Sequence, residues 1–243
     1  MIEEIFLALI QGITEFLPVS SSGHLAIVSN ILSEPDVFLF TVLHLATLLA
    51  VVIFTRKEIF SLLKFDKQAN KLWMYLIIAT LPAAAFGYFF QSIIERVFSS
   101  FAFLAGAFFF TGFVLLMARI PKEFSKLDSK NAFIIGIFQI FALFPGVSRS
   151  GMTISSGLIL GLKREEAAKF SFLLLIPLVI GAFILELGNA YFSASLAVAF
   201  VVCVLTSLVF LNVLMMIVNK GNFWLFYIYC FGMGLLSLVL YLI

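Results

Sequence analysis

Two short clusters of polar residues interrupt the long apolar stretches of this sequence and carry side chains suited to phosphate chemistry. The first cluster contains Glu15, three consecutive serines and His24, and the second places Arg149 between two serines. A turn rich in Ser and Gly that leads into a helix offers free backbone N–H groups and hydroxyl donors. A guanidinium can contact two phosphate oxygens at once. The two clusters therefore predict a site for a phosphate or diphosphate group.

The spacing inside the first cluster predicts more specific roles. Gln11 and Glu15 are four residues apart, so they share one face of a helix that Pro18 ends. We expect Glu15, helped by Gln11, to hold a divalent cation that bridges the phosphates or to orient a group that does. The Gln11 carbonyl oxygen can bind Mg²⁺ or Ca²⁺ but carries no charge. Ser21 and His24 are close enough to meet as nucleophile and base. Two schemes stay open: Ser21 attacks and His24 accepts its proton, or His24 acts directly on water or phosphorus.

The remaining polar residues of the clusters are predicted to bind substrate. The predicted catalytic residues are Glu15, Ser21, His24 and Arg149, and the predicted substrate-binding residues are Gln11, Ser20, Ser22, Ser148, Ser150 and Thr153. Ser and Gly also line helix contacts in membranes, and a single such turn would indicate packing. Two related turns that carry Glu, His and Arg favour a binding site.

One histidine and two cysteines lie in apolar sequence outside both clusters. His44 is an ionisable residue inside a predicted membrane span, which makes it a functional candidate, although its distance from the clusters favours a packing role. Cys203 and Cys230 have no metal or redox motif around them and are interpreted as small core residues.

The amino-acid composition predicts an integral membrane protein. Hydrophobic residues make up 63% of the chain, charged residues only 12%, and the mean hydropathy is +1.18. Soluble domains carry about 25% charged residues. The basic residues are scattered among short breaks, which argues against nucleic-acid binding.

Six apolar stretches are long enough to cross a bilayer: 37–54, 72–90, 99–118, 170–187, 196–218 and 224–243. Two shorter ones, 4–17 and 132–144, run into the polar clusters.

The two clusters belong to an internal repeat. A shift of 128 positions places Gln11 on Gln139, and the other matched pairs are Phe16 on Phe144, Val19 on Val147, Ser20 on Ser148, Ser22 on Ser150 and Gly23 on Gly151. Each half, about 1–120 and 130–243, holds one broken segment and three spans, so the second half enters the membrane inverted. The predicted fold is an all-α integral membrane protein, a single membrane domain over 1–243, with six transmembrane helices and two re-entrant helical hairpins.

Charge in the loops predicts the topology. If both hairpins turn back, the breaks 55–71, 119–131, 161–169 and 219–222 share one side. They hold thirteen of the fifteen Lys and Arg residues: Arg56, Lys57, Lys64, Lys67, Lys71, Arg119, Lys122, Lys126, Lys130, Lys163, Arg164, Lys169 and Lys220. The positive-inside rule places that side in the cytoplasm, so both termini and the site are expected to face outward.

The clusters closely resemble the motifs of the undecaprenyl-diphosphatase (bacitracin-resistance) family. The first matches its Glu/Gln-x-x-x-Glu and Pro-Val-Ser-Ser-(Ser/Thr)-Gly-His pattern, and the second matches its Pro-Gly-x-Ser-Arg-Ser-x-x-Thr pattern. The stretch from Lys163 to Phe172 resembles the family's sequence after that second motif. Many members have Glu where this chain has Gln11.

The resemblance implies both a fold and an activity. The fold would be that of a multi-pass enzyme of the bacterial inner membrane with two re-entrant hairpins. The enzyme would release the terminal phosphate of undecaprenyl diphosphate for carrier recycling in peptidoglycan synthesis, and so confer bacitracin resistance.

A transporter or lipid flippase is the rival hypothesis, because inverted repeats with broken helices are typical of transporters. Such a protein could bind the head group with the same Ser and Arg residues and never cleave it. Glu15, Ser21 and His24 together favour the enzyme. The expected partners are a polyprenyl diphosphate lipid and the bilayer, and a homodimer is a candidate assembly.

Overall fold

The computed structural model describes residues 2–32, 37–119, 123–186 and 192–243, and its elements in these ranges are all helical. Residue 187 of the predicted span 170–187 and Lys122 of the second basic break lie outside them. The α-helices are α1 Ile2–Thr14, α2 Ser21–Leu32, α3 Val37–Phe54, α4 Arg56–Leu62, α5 Lys67–Val97, α6 Phe101–Met117, α7 Ser129–Phe141, α8 Arg149–Ile159, α9 Arg164–Glu186, α10 Ala194–Asn219 and α11 Phe226–Leu242, with a 3₁₀ turn at Phe223–Leu225.

Six of these helices match the six predicted spans. Four of them, α5, α9, α10 and α11, are long and apolar enough to cross a membrane. A fifth, α3, is long and apolar enough when taken together with α4, into which it bends by 78°. The sixth, α6, is apolar and has 17 residues. Large apolar side chains remain exposed along these helices, as expected where lipid replaces water. The prediction of an all-α membrane protein is confirmed.

The helices recur in the same order in the two halves of the chain. Helices α1, α2, α3, α5 and α6 have the counterparts α7, α8, α9, α10 and α11, and α4 is an insertion in the first half. The equivalent helices α6 and α11 pack antiparallel: Phe109 meets Gly234, and further along α6 Gly112 meets Phe231. A Cβ on Gly112 would lie 2.5 Å from the Phe231 ring, so this close approach requires glycine. Equivalent helices that run in opposite directions are the mark of an inverted repeat.

The second hairpin, α7 and α8, enters and leaves at the same end of the molecule. The backbone N–H groups of Phe124 and Ser125, just before α7, donate to the Gly161 carbonyl just after α8, at 3.1 and 3.0 Å. Asp128 caps α7 by accepting from the Asn131 N–H at 2.7 Å. The segment is therefore re-entrant, as the loop charges predict.

The first hairpin, α1 and α2, has both its ends at the opposite end of the molecule. Glu4 accepts a hydrogen bond of 2.7 Å from Ser195, at the beginning of α10. The Asn30 amide donates to the carbonyl of Phe98, after the end of α5, at 3.5 Å. The other end of α10 lies next to Arg164, where Gly221 packs against the guanidinium. The two hairpins thus enter the helix bundle from opposite ends.

The four basic breaks come together at one end. Arg119 of the second break lies 4.7 Å over the ring of Trp224, which lies just after the fourth break. Lys169 contacts Glu58 at 2.8 Å and so joins the third break to the first. The hydrogen bonds to Gly161 join the second to the third. Nearly all the basic charge therefore lies at one end of the bundle, opposite the ends of the first hairpin.

Labelling of single cysteines tests this arrangement across a bilayer. We expect Phe192→Cys and Lys126→Cys to react with a membrane-impermeant thiol reagent from opposite sides, because 192 precedes α10 and 126 precedes α7. Both positions are exposed, whereas the native Cys203 and Cys230 are buried, so unmodified protein is the control. Reaction of both positions from the same side in intact cells and in inverted vesicles would contradict the fold.

Candidate active site

The tips of the two hairpins meet in the interior of the bundle. The Ser150 hydroxyl donates to the Leu17 carbonyl of the opposite tip at 3.2 Å. A Cβ on Gly23 would lie 2.8 Å from the Gly146 Cα, so the two backbones touch where only glycine fits. Thr111 of α6 donates to the Gly146 carbonyl at 3.1 Å and holds the second tip in place.

Both tips use the same serine pattern to begin a helix. The Ser20 hydroxyl accepts from the Gly23 N–H at 3.2 Å and lies 3.3 Å from the Ser22 hydroxyl. In the second tip, the Ser148 hydroxyl accepts from the Gly151 N–H at 3.1 Å and lies 3.2 Å from the Ser150 hydroxyl. Two helices, α2 and α8, therefore begin with capped N-termini at the point where the tips meet. A helix N-terminus favours an anion, because its N–H groups and dipole carry partial positive charge.

Glu15 lies at the centre of the site, with its side chain 5% exposed. Its Oε1 accepts from Arg149 Nη2 at 2.8 Å. Its Oε2 accepts from the Ser21 hydroxyl at 2.6 Å and from Gln11 Nε2 at 3.0 Å. The structure thus brings together the carboxylate, the serine and the guanidinium that the sequence singles out.

The side chain of Arg149 is held in position by a contact with α9. Its Nη1 donates to the Ser171 carbonyl at 3.1 Å. Thr153 donates to the Arg149 carbonyl at 2.9 Å, and its hydroxyl lies 2.6 Å from that of Ser171. Thr153, which the sequence predicts to bind substrate, is buried and contacts the Arg149 carbonyl and the Ser171 hydroxyl. It supports the position of Arg149.

His24 points away from Ser21. Its Nδ1 lies 2.7 Å from the Ser20 carbonyl, and its Nε2 lies 2.7 Å from the hydroxyl of Tyr229 on α11, on which the ring stacks. Both ring nitrogens are thereby engaged. The Ser21 hydroxyl donates to Glu15, so the structure does not bring the expected pair of Ser21 and His24 together.

The backbone conformation of Ser20 accounts for the orientation of the His24 ring. Ser20 has a φ of 66°, in the left-handed region that costs a non-glycine residue roughly 1–2 kcal/mol. The carbonyl of Ser20 accepts from both the backbone N–H of His24, at 3.2 Å, and the ring. Such strain persists only where the surroundings enforce it, and here the bonds to His24 do so.

His44 is the imidazole that reaches the cavity. Its Nε2 lies 3.7 Å from Glu15 Oε2, and its side chain is 31% exposed. The sequence favoured a packing role for His44 because the residue lies outside both motifs. Its position as an ionisable residue in an otherwise apolar span was the signal that could have identified it.

A cavity of about 560 Å³ opens at this point. One part of its wall is polar, formed by Glu15, Ser20, Ser21, Ser22, His44, Ser148 and Arg149. The other part is apolar. Helix α9 contributes Leu175, Leu178, Val179 and Ala182, the second hairpin contributes Ala142, Leu143 and Val147, and Leu25, Phe40, Ile94 and Phe98 complete it. This division fits a ligand with an anionic head and an apolar tail.

Gln11 lies behind Glu15 and is fully buried. Its amide presents the nitrogen to Glu15, and its buried Oε1 has no hydrogen-bond partner. In this arrangement Gln11 and Glu15 do not offer two oxygens to one cation, and binding by this pair would require the amide to turn over. Within the described ranges there is no group of three or more His, Cys, Asp and Glu side chains that could hold a metal.

Known proteins are similar in sequence to nearly the whole chain. Residues 4–236 match the model of the family described as bacitracin resistance protein BacA. An undecaprenyl-diphosphatase of Methanococcus vannielii is 43% identical over 94% of this chain and 96% of its own. Those of Thermosipho melanesiensis and Thermotoga maritima are 40% and 38% identical, over 98% and 96% of this chain and 98% of each relative. On these matches, the chain belongs to the bacitracin resistance protein BacA family.

Proposed function

We propose that this protein is an undecaprenyl-diphosphate phosphatase. It hydrolyses the lipid diphosphate to undecaprenyl phosphate and inorganic phosphate, which recycles the carrier lipid of peptidoglycan synthesis and confers bacitracin resistance. The observation that carries the proposal is the contact of Glu15 with both Arg149 and Ser21, at 2.8 and 2.6 Å, inside a cavity with an apolar wall. The relatives that carry this enzyme name match nearly the whole chain.

Arg149 and the two serine tips bind the diphosphate. The capped N-termini of α2 and α8 supply backbone donors, and the serine hydroxyls supply further ones. Arg149 neutralises charge that develops on the phosphoryl oxygens, which is the main requirement of phosphoryl transfer. The apolar wall, to which α9 and the second hairpin contribute most, accepts the first part of the prenyl chain.

Ser21 is the nucleophile that the geometry favours, with Glu15 as its base. Ser21 Oγ attacks the terminal phosphorus, and its proton passes along the 2.6 Å hydrogen bond to Glu15. The bond from phosphorus to the bridging oxygen breaks, and undecaprenyl phosphate departs with the electron pair and the proton from Glu15. Water then hydrolyses the phosphoserine. His24 positions the first tip through Ser20 and Tyr229 in this scheme.

Glu15 would hold a divalent cation, Mg²⁺ or Ca²⁺, together with the substrate's phosphates. Mg²⁺ in proteins is commonly held by one or two carboxylates together with substrate phosphates. The unpartnered Gln11 Oε1 would serve as a further ligand if the amide turned. The cation would supply further neutralisation of phosphate charge.

The chain is placed in the bacterial plasma membrane with its basic end in the cytoplasm. The basic end of the bundle carries the breaks that the positive-inside rule assigns to that side. The first hairpin then begins at the outer side, and the cavity opens outward. Assembly as a homodimer stays a prediction.

Release of free phosphate from a prenyl diphosphate by the purified protein tests the function. We expect Arg149→Ala to lower kcat/KM by about 100-fold or more, since preorganised charge contributes effects of that size. Arg149→Lys should recover only part of the activity, because lysine lacks the planar fork. Lys126→Ala, exposed and remote, is the control. Wild-type protein that binds the lipid and releases no phosphate would favour a transporter.

Rapid quenching with substrate labelled in its terminal phosphate tests the nucleophile. We expect label on Ser21 during turnover and no labelled protein in Ser21→Ala. Ser29→Ala is the matched control and should keep the label, because the Ser29 hydroxyl donates to the Leu25 carbonyl of its own helix and not to Glu15. Full turnover by Ser21→Ala would show that Ser21 is not the nucleophile.

Metal dependence separates a cation carried by the substrate from a resident one. A chelator should lower activity, and Mg²⁺ or Ca²⁺ should restore it in proportion to the concentration of the cation–diphosphate complex. Protein passed through a desalting column without substrate should retain no stoichiometric metal. Retained metal that disappears in Glu15→Gln would instead support a resident site.

A further inference from the structure

The orientation of the His44 ring is determined by its own helix. Its Nδ1 lies 2.7 Å from the carbonyl of Phe40, one turn earlier in α3. A carbonyl oxygen only accepts, so Nδ1 must carry the hydrogen of this bond. The neutral ring therefore presents the lone pair of Nε2 to the cavity.

In the phosphoserine enzyme Ser21 no longer donates to Glu15 Oε2, so this atom and the Nε2 of a neutral His44, 3.7 Å away, are two acceptors that face each other. Two acceptors cannot bond directly, but one molecule with two hydrogens can bond to both. A water oxygen about 2.8 Å from each atom would donate at an angle of roughly 80° between the two bonds, close enough to its own geometry for both to form. Glu15 and His44 both line the cavity beside Arg149.

We propose that Glu15 and His44 together hold the water whose oxygen ends in the released phosphate, which makes His44 a further catalytic residue. The proposal rests on the phosphatase function. Both water hydrogens point at the acceptors, so a lone pair of its oxygen is free to face phosphorus.

The step balances with the groups present. The water oxygen forms a new bond to the phosphorus of phosphoserine 21, and the bond from phosphorus to Ser21 Oγ breaks with its electron pair on Oγ. One water proton passes to Glu15 Oε2 and from there to Oγ, along the 2.6 Å contact that Ser21 makes in the structure. Inorganic phosphate leaves, and Glu15, Ser21 and His44 return to their starting states.

Three substitutions at His44 separate this role from packing. His44→Leu removes both polar contacts. His44→Asn can keep the bond to the Phe40 carbonyl, because its amide matches Nδ1, but it cannot reach the water. His44→Gln places an amide near the position of Nε2 and can accept from water. We expect kcat to fall roughly 10- to 100-fold in His44→Leu and His44→Asn, the size of one lost hydrogen bond to a reacting group, with KM little changed. His44→Gln should recover part of this loss.

Competition between water and methanol gives a readout that packing would not change. Water can satisfy both acceptors, but methanol has one hydroxyl hydrogen and satisfies only one. The intact site should therefore favour water, and the ratio of methyl phosphate to free phosphate should rise severalfold in His44→Leu and His44→Asn and less in His44→Gln. Thr47→Val, one turn further along α3 and buried, is the matched control and should keep the wild-type ratio.

Two results would overturn the proposal. One is an unchanged kcat in His44→Leu; the other is a lower kcat with the wild-type product ratio, which would indicate a structural effect of the substitution. If His44→Leu does not fold, the comparison of His44→Asn with His44→Gln decides in the same way. A wild-type protein without phosphatase activity refutes the proposed function itself, which is a separate outcome.

Discussion

The ion pair between Glu15 and Arg149 is the interaction on which the rest of the site depends. Its atoms are 2.8 Å apart, and the side chains are 5% and 13% exposed. A charge at membrane depth is costly, and removing one partner of a buried pair leaves the other uncompensated. The two residues come from hairpins that enter from opposite ends, so neither half of the chain can satisfy its charge alone. The pair therefore joins the halves and also explains why both hairpins must reach the same depth.

The repeat duplicates the backbone of the site but not its chemistry. Both tips cap a helix with the same Ser-x-Ser-Gly contacts, which gives the site two helix N-termini. The charged residues are not duplicated: at the spacing of 128, Leu143 stands opposite Glu15, and Ser21 stands opposite Arg149. One half supplies the carboxylate and the hydroxyl, and the other supplies the guanidinium. A symmetric fold thus holds one asymmetric site, as a reaction with an attacking group on one side and a leaving group on the other requires.

The features that depend on local pattern could be predicted from the sequence, and those that depend on long-range contacts could not. Apolar length predicted the six spans, the 128-residue shift predicted the repeat, and loop charge predicted the common end of the basic breaks. Motif residues predicted that Glu15, Ser21 and Arg149 would converge. The three-residue spacing of Ser21 and His24 did not predict the direction of the ring, because Ser20 has a positive φ and the ring's partner is Tyr229, 205 residues away. His44 reaches Glu15 from another helix, and no spacing along the chain encodes that contact.

Re-entrant hairpins can offer backbone N–H donors in the middle of the bilayer, which continuous helices cannot. A helix that crosses the whole bilayer uses its N–H groups internally and offers none at mid-depth. A hairpin that turns back inside the bundle exposes the first N–H groups of its second helix there, and both tips place them beside the buried ion pair. The cost of irregular backbone at that depth is limited because the tips cover each other and Thr111 bonds the Gly146 carbonyl. A lipid diphosphate needs these donors at its head and apolar surface along its tail. The junction of two inverted hairpins, with α9 as the largest part of its apolar wall, supplies both within one cavity.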